Sequence, residues 1–173
     1  MKAVLCKEFG PPESLIIEDI ASPTPGKGQV VVSVKACGVN YPGILIIQGK
    51  YQLKPPLPFS PGSEVSGIVK EVGEGVHNVK VGDRVIAFCG VGGYAEEVVT
   101  EATKLIKIPA SIAFATAVGF TLVYGTTYHA LKDRAQLKPG ETLLVLGASG
   151  GIGLAAVELG KLMGARHRRR LKR

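Results

Sequence analysis

Three glycines spaced three residues apart form the segment of this sequence best suited to bind a ligand. Gly147, Gly150 and Gly153 follow the apolar run 142–146 and open a stretch rich in Ala, Leu and Val at helix-compatible spacing. In such a strand-turn-helix, the first glycine permits a tight turn, the second lets the backbone approach a phosphate, and the third allows close packing of helix on strand. Amide dipoles at the helix start attract negative charge. The sequence therefore predicts a nucleotide pyrophosphate site, with a plain structural turn as the alternative. The predicted binding residues are Gly147, Ala148, Ser149, Gly150, Gly151, Ile152 and Gly153.

The residues after this helix depart from the pattern of a nucleotide-binding sheet. Such a sheet requires a second strand, with an acidic or basic residue about 20 positions past the first glycines. Residues 166–173 instead read RHRRRLKR and lack strand periodicity, so we expect a disordered basic tail. The sequence thus predicts the first strand and helix of a larger domain and a chain truncated on its C-terminal side.

Composition and charge narrow the class of protein. The chain has 173 residues, 46% of them hydrophobic, which is typical of a globular domain with part of a second. Its net charge of +7 comes largely from the tail, because six of the 21 Lys and Arg residues lie in 166–173 and leave 15 against 14 acidic residues. No aromatic residues interleave with those arginines, so we expect no nucleic-acid partner.

Hydropathy and cysteine content give the expected location. No apolar run approaches the ~18 residues of a membrane span, and the N-terminal segment lacks a secretory hydrophobic region, so we expect a cytoplasmic protein without membrane contact. The three cysteines are too few and too scattered for a disulfide framework and are interpreted as reduced, mostly buried thiols. They are Cys6, Cys37 and Cys89.

The pattern of the chain changes near residue 110. Before it, short β-forming runs alternate with Gly and Pro turns, which indicates a small β-barrel-like domain. The expected strands are 2–6, 14–20, 29–36, 64–72, 84–88 and 94–99. After it, residues 113–118 and 122–131 are compatible with helices, and the strand 142–146 follows. The sequence predicts a mixed α/β protein with a domain boundary between residues 109 and 120.

Several motifs in a fixed order give the chain a resemblance to a known family. They are Val39-Asn40-Tyr41, the segment from Pro56 to Glu64, Gly82-Asp83-Arg84-Val85, Gly92-Gly93-Tyr94-Ala95-Glu96, and the glycine turn. The set spans residues 1–165 and resembles the medium-chain dehydrogenase/reductase superfamily, more narrowly the zinc-independent quinone oxidoreductases of the zeta-crystallin type. An ordered set of motifs is far more specific than any one of them.

The resemblance implies a fold and an activity. It implies a GroES-like barrel over residues 1–115 and the start of an incomplete Rossmann domain over 116–165, followed by the basic tail 166–173. It also implies NADPH as cofactor, with NADH not excluded, and hydride transfer to a quinone or an α,β-unsaturated carbonyl. Family members are usually homo-oligomers, but their dimer edge belongs to the part of the domain that this sequence lacks.

A second hypothesis follows from the missing second half. The chain is then a non-catalytic splice or frameshift product that is inert or acts by binding, for example by forming a dimer with a full-length sister. The two hypotheses differ in whether the chain holds a cofactor, because hydride transfer requires one fixed in place.

Zinc is not expected, although many members of the superfamily are zinc alcohol dehydrogenases. Asn40 stands where those relatives have a ligand cysteine, and Gly62-Ser63-Glu64 stands where they have Gly-His-Glu. An amide and a hydroxyl do not replace the thiolate and imidazole of a zinc centre. A structural zinc lobe would require four clustered cysteines, and only Cys89 lies in that neighbourhood.

Three polar side chains are candidates for the reaction centre. Asn40 either donates a hydrogen bond from its side-chain amide to the substrate oxygen or is a turn residue. Tyr51 matches the position of a cleft tyrosine in the family and either donates a hydrogen bond or covers the mouth of the barrel. Thr126 matches a threonine directed at the nicotinamide, with helix packing as the alternative.

Three further positions bear on the comparison with the family. Gly43 departs from it, because an aspartate commonly occupies that position in the family. Tyr41 and Tyr128 are interpreted as core residues and not as part of the site.

Overall fold

A computed structural model describes residues 1–170, with side chains as far as Arg166. The described chain forms two compact units, Met1–Val118 and the described residues from Gly119 onward, and its mixed α/β character is the one predicted. The units divide three residues beyond the predicted end of the first domain. In the described residues no helix is long and apolar enough to cross a membrane.

The first unit is built on antiparallel sheets. Its strands are β1 (Lys2–Leu5), β2 (Ile16–Asp19), β3 (Gln29–Cys37), β4 (Glu64–Val72), β5 (Arg84–Phe88), β6 (Glu97–Glu101) and β7 (Leu105–Lys107). A central sheet has the strand order β6-β3-β4-β5-β7, and a separate pair is formed by β1 and β2. The observed β4 and β5 have the predicted bounds. Residues 94–96, predicted as part of a strand, instead bond to β1 through a bridge between Ala3 and Ala95.

Valine side chains fill the core of this unit, because β-branched residues pack well on a pleated surface. Val30, Val32, Val65, Val69 and Val85 are fully buried in one cluster. The register of β3 on β4 shifts twice, which bends the sheet as a β-bulge does.

One glycine in β4 is required by the close approach of β3. A Cβ at Gly67 would lie 2.1 Å from the carbonyl oxygen of Ser33, a distance that no side chain tolerates. The pairing of these two strands therefore depends on this residue type.

A short helix that the sequence did not reveal follows β3. Helix α1 (Tyr41–Ile47) contains Pro42, Gly43 and three isoleucines, which are poor or neutral helix formers. It buries Ile46 and Ile47 against Cys6 and Phe59. Tertiary burial therefore stabilises a segment whose local propensity is weak.

The last helix of the first unit is fastened to the central sheet. Helix α2 spans Phe114–Ala117, and the Ser66 hydroxyl donates to the Phe114 carbonyl oxygen at 2.7 Å. The Arg84 guanidinium lies 4.0 Å from the centre of the Phe114 ring. These contacts hold the start of α2 against the central sheet.

The second unit is a βαβ unit preceded by a helical segment. Helix α3 (Thr121–Tyr128) continues as a π-helical turn over His129–Arg134. Strand β8 (Thr142–Leu146), helix α4 (Gly151–Leu162) and strand β9 (Arg166–Arg170) follow. Strands β8 and β9 are parallel, and Leu146 is paired with Arg170.

The prediction of a disordered tail is wrong for Arg166–Arg170. The backbone of β8 offers hydrogen bonds along a parallel edge, and a polar sequence fills them as well as an apolar one, because the bonds involve main-chain atoms. The other predicted tail residues, 171–173, lie outside the described part of the chain.

Candidate functional site

Asn40 lies at the start of α1 and turns its side chain toward β4. Its backbone is extended, with φ −114° and ψ 147°, as expected for the residue that begins a helix. The amide Nδ2 donates to Oε1 of Glu64 at 3.0 Å instead of capping the helix. Asn40 is half-buried.

Glu64 is the charged partner in this pair and is almost completely buried. Glu64 occupies the first position of β4 and is only 1% exposed. The Gly38 amide donates to the Glu64 carbonyl oxygen at 3.0 Å, and the Cys89 amide donates to the neighbouring Ser63 carbonyl oxygen at 2.8 Å. The backbone that carries the carboxylate is therefore fixed by segments on both sides of β4.

Two thiols lie beside this carboxylate and remain protonated at neutral pH. Burial first, then the proximity of Cys89 and Glu64, raises the pKa of Cys37 to about 12. Burial likewise raises the pKa of Cys89 to about 11. The Cys37 thiol donates to the Glu64 carbonyl oxygen at 3.2 Å, and the Cys89 thiol donates to the Ser63 carbonyl oxygen at 3.3 Å. As predicted, these cysteines are unpaired, and their raised pKa values make them poor nucleophiles.

Two glycines around Asn40 differ in how much space they have. A Cβ at Gly38 would lie 2.8 Å from Oε1 of Glu64 and 3.1 Å from Nδ2 of Asn40, so this glycine leaves room for the pair. At Gly43, by contrast, no described atom lies within 4 Å of an added Cβ. The position where the family commonly has aspartate is therefore open.

Tyr51 follows α1 and contributes its ring to the apolar cluster around Ile46, Ile47 and Phe59. It is half-buried there. Both alternatives for Tyr51, a covering role for the ring and a hydrogen bond from the hydroxyl, therefore stay predictions. Tyr41, interpreted as a core residue, is instead 71% exposed, because the first turn of α1 faces solvent.

Three geometric features of the glycine turn suit the binding of a pyrophosphate. Gly147 has φ +68°, which a residue with a side chain rarely adopts. At Gly150 the nearest atom to an added Cβ is 3.7 Å away, so the backbone surface is open to an approaching ligand. At Gly153 an added Cβ would lie 2.3 Å from the Gly147 carbonyl oxygen, so only glycine lets α4 pack on the turn.

The start of α4 offers backbone donors beside this turn. Gly150 precedes the helix, and no side chain of the described residues caps it. The first amides of a helix have no partner within the helix and carry partial positive charge. Together with the glycine geometry, they suit the phosphates of a dinucleotide. Ala148 is buried beneath the turn, and Ser149 is exposed on it.

Helix α3 supports the start of α4. The Thr127 hydroxyl donates to the Val123 carbonyl oxygen at 2.8 Å and approaches that of Ile152 at 3.4 Å. Thr127, which the sequence did not single out, is thus the packing threonine. Its neighbour Thr126 is exposed on α3, which leaves its predicted cofactor contact open.

Tyr128, interpreted as a core residue, is 48% exposed. It lines an apolar cavity of about 260 Å³ together with Phe120, Tyr124, Gly125 and Leu159. The cavity lies within the second unit, near the exposed end of α3.

The structure brings some of the predicted site residues together within each unit. Asn40 meets Glu64 in the first unit, and residues 147–153 form one continuous turn in the second. Sequence reasoning missed the partner role of Glu64, although a signal was present: a carboxylate among the apolar residues of a buried strand is unusual. Among the described residues, no group of three or more His, Cys, Asp or Glu side chains is placed to hold a metal ion.

Comparison with known families agrees with this architecture. Residues 26–110 match the family described as the alcohol dehydrogenase GroES-like domain. The first unit therefore defines a GroES-like domain, and the βαβ unit with its glycine turn is the start of a Rossmann domain, as predicted.

Individual relatives narrow the family assignment of the chain. The chain is 46% identical to the quinone oxidoreductase-like protein 2 homolog of Nematostella vectensis, across 98% of this chain and 48% of the relative. It is 42% identical to human quinone oxidoreductase, across 95% of this chain and 50% of the relative. It matches the crystal structure of Escherichia coli quinone oxidoreductase complexed with NADPH with a TM-score of 0.92 and 33% identity, covering 98% of this chain and 52% of that one.

The chain belongs to the medium-chain dehydrogenase/reductase superfamily and is of the quinone oxidoreductase type. It spans about half the length of the relatives that it matches.

Proposed function

We propose that the protein is an NADPH-dependent, zinc-independent oxidoreductase that transfers a hydride to a quinone or an α,β-unsaturated carbonyl. The observation that carries this proposal is the glycine turn, in which a tight bend, an open approach and a close helix contact occur at residues 147, 150 and 153. Relatives named quinone oxidoreductase, one of them solved with NADPH, support the choice of cofactor and acceptor.

The glycine turn would hold the pyrophosphate of the cofactor. The open backbone at Gly150 would let the phosphates approach, and the amides of the first turn of α4, which have no partners within the helix, would donate hydrogen bonds to them. Bound NADPH would supply the hydride. The exposed Thr126 hydroxyl is the proposed contact to the nicotinamide.

Asn40 would act at the substrate. One Nδ2 proton is bonded to Glu64, and an amide nitrogen carries a second proton that remains available. That N–H group would donate a hydrogen bond to the acceptor oxygen as negative charge develops there during reduction. Tyr51 is the proposed second donor at this end of the site.

Zinc is not part of the proposed mechanism. An amide at Asn40 and a hydroxyl at Ser63 are unsuited to a centre that selects thiolate and imidazole. The protein would therefore polarise the acceptor by hydrogen bonds and by orientation.

A nucleotide titration of the 173-residue chain tests the proposal. Assembly of a working cleft by these 173 residues would give saturable quenching or enhancement of NADPH fluorescence, weaker binding of NADH, and reduction of a quinone followed at the absorbance of NADPH. Gly150→Ala adds a methyl group without a clash, so it should leave the melting temperature unchanged and weaken NADPH binding by about tenfold or more.

Gly125→Ala is the matched control, because no described atom lies within 4 Å of its added Cβ and it lies outside the turn. It should bind NADPH like the parent chain. Equal binding by parent and Gly150→Ala would show that the turn does not hold the phosphates. Absence of binding in every variant would favour a non-catalytic protein.

The second candidate function is that non-catalytic, binding role. Leu144 and Leu146 on β8 and Leu162 on α4 are exposed, and Leu146 and Leu162 reach 70% and 82% exposure. Apolar residues exposed on a parallel sheet are normally covered by other elements. Sedimentation of the chain alone and mixed with a full-length relative distinguishes this role, which requires a complex in one of the two samples.

A further inference from the structure

We propose that Glu64 is a positioning residue that fixes the orientation of the Asn40 amide. The inference deepens the proposed function, since it concerns the side chain that would face the acceptor oxygen. It rests on the 3.0 Å bond from Nδ2 of Asn40 to Oε1 of Glu64, and on the burial of that carboxylate.

An amide side chain has two ends of similar shape and opposite chemistry. A carboxylate oxygen accepts hydrogen bonds, so it bonds to the Nδ2 end of Asn40 and repels the Oδ1 end. Rotation of the amide by 180° would place two acceptors against each other in a buried site, which is costly. Glu64 therefore determines where the second Nδ2 proton of Asn40 lies.

The surroundings hold the backbone that carries Glu64 in place. The Gly38 amide and the Cys37 thiol donate to the Glu64 carbonyl oxygen, and the Cys89 amide fixes the preceding residue, Ser63. Burial keeps both thiols protonated, with pKa values raised to about 12 and about 11, so neither adds a negative charge. Gly38 lacks the Cβ that would separate Glu64 from Asn40.

Stability alone does not explain a carboxylate at this position. Taking a charged group out of water costs free energy, and an apolar residue of similar size often serves a core equally well. Hydrogen bonds to a charged acceptor are shorter and stronger than neutral ones, which suits a group that must be held in one orientation.

Solvent exchange of the Asn40 side-chain amide, measured by NMR on the 173-residue chain without cofactor, tests the proposal. The signals are assigned by their loss in Asn40→Ala. We expect Glu64→Ala to accelerate exchange by about tenfold or more, as expected for loss of a charge-assisted hydrogen bond. Glu64→Gln retains an oxygen acceptor of the same shape but not its charge, so its exchange rate should lie between those of the parent and Glu64→Ala.

Glu71→Ala is the matched control, because this residue lies on the same strand and its carboxylate is exposed beside Lys70. It should leave Asn40 exchange unchanged. Gly38→Ala replaces Glu64→Ala as the test variant if Glu64→Ala fails to fold. Its added Cβ would separate the Glu64 carboxylate from the Asn40 amide without removing either, so it too should accelerate exchange of the Asn40 amide.

Exchange in Glu64→Ala within twofold of the parent would overturn the proposal, as would equal acceleration in Glu64→Gln and Glu64→Ala. Because the measurement needs no cofactor, it gives an answer even if the chain binds no NADPH. If the chain does reduce a quinone, Glu64→Ala should lower kcat with little change in KM, whereas Glu71→Ala should not.

Discussion

Single residues carry the chemistry of this protein, and their environments define what each can do. Asn40 differs from an ordinary helix-capping residue because its amide is bonded to the buried Glu64. Cys37 and Cys89 differ from reactive cysteines because burial raises their pKa values. Residue type alone distinguished neither case, since both depend on groups distant in the sequence.

The first residue-scale prediction concerns Asn40. Asn40→Ala should lower kcat for quinone reduction by about 10²-fold, because one donor to a developing negative charge is lost. Steady-state kinetics with NADPH measure it. Asn78→Ala is the control, since that amide donates to the Ala102 carbonyl oxygen and should leave kcat unchanged.

The second residue-scale prediction concerns pH. The pKa of Cys37 is raised from its ordinary value of 9.0 to about 12, and that of Cys89 to about 11. Above pH 9 the unfolded chain therefore releases thiol protons that the folded chain retains, so the free energy of unfolding should fall between pH 9 and 11. Urea denaturation at several pH values measures this fall.

The double variant Cys37→Ala, Cys89→Ala isolates the contribution of the two thiols. It should show a shallower fall over the same pH range, whatever its stability at pH 8. An unchanged slope would show that these thiols do not titrate abnormally.

At the scale of elements, close backbone approach decides where glycine is required. Strand β4 lies so near β3 that a Cβ at Gly67 would meet the Ser33 carbonyl oxygen, whereas Gly43 in α1 has open space. Gly153 resembles Gly67, because it allows α4 to pack on the turn that precedes it. Glycines that look alike in the sequence thus have different structural roles.

The element-scale prediction compares two alanine substitutions in the first unit. Gly67→Ala should destabilise the fold by about 2 kcal/mol or more, because the strands must separate. Gly43→Ala should stabilise it by about 0.5–1 kcal/mol, because alanine favours helix over glycine. Thermal unfolding followed by circular dichroism measures both; similar melting temperatures for the two variants would contradict the close approach of β3 and β4.

At the scale of the whole molecule, the two units differ in how completely they bury their apolar residues. The first unit has a closed valine core on antiparallel strands. The second is a single βαβ unit in which Leu144 and Leu146 are exposed on β8. Small sheets with one bare face are marginal in water.

The prediction at this scale is that residues 1–118 fold alone and residues 119–173 do not. Residues 1–118 should give a cooperative unfolding transition and NMR signals that superpose on those of the full chain. Residues 119–173 should be unfolded or aggregated, as expected for exposed apolar surface. A non-cooperative transition in residues 1–118 would show that the first unit depends on the second.

The sequence by itself determined the repeating features of this protein. Apolar, β-forming runs between turn residues predicted the bounds of β4, β5 and β8, and the glycine spacing located the turn before α4, because these patterns are local. The ordered motifs also identified the family. They could not reveal α1, whose residues are poor helix formers and which depends on burial of Ile46 and Ile47.

Only the tertiary structure decided the partners of the predicted residues. Glu64 meets Asn40 because β4 passes beside the start of α1, 24 residues away along the chain. Strand β9 forms in an arginine-rich segment because β8 provides a free edge, a condition that no periodicity in residues 166–170 expresses. Hydrogen bonding and burial between distant segments have no local sequence signature, and they are what position the candidate site.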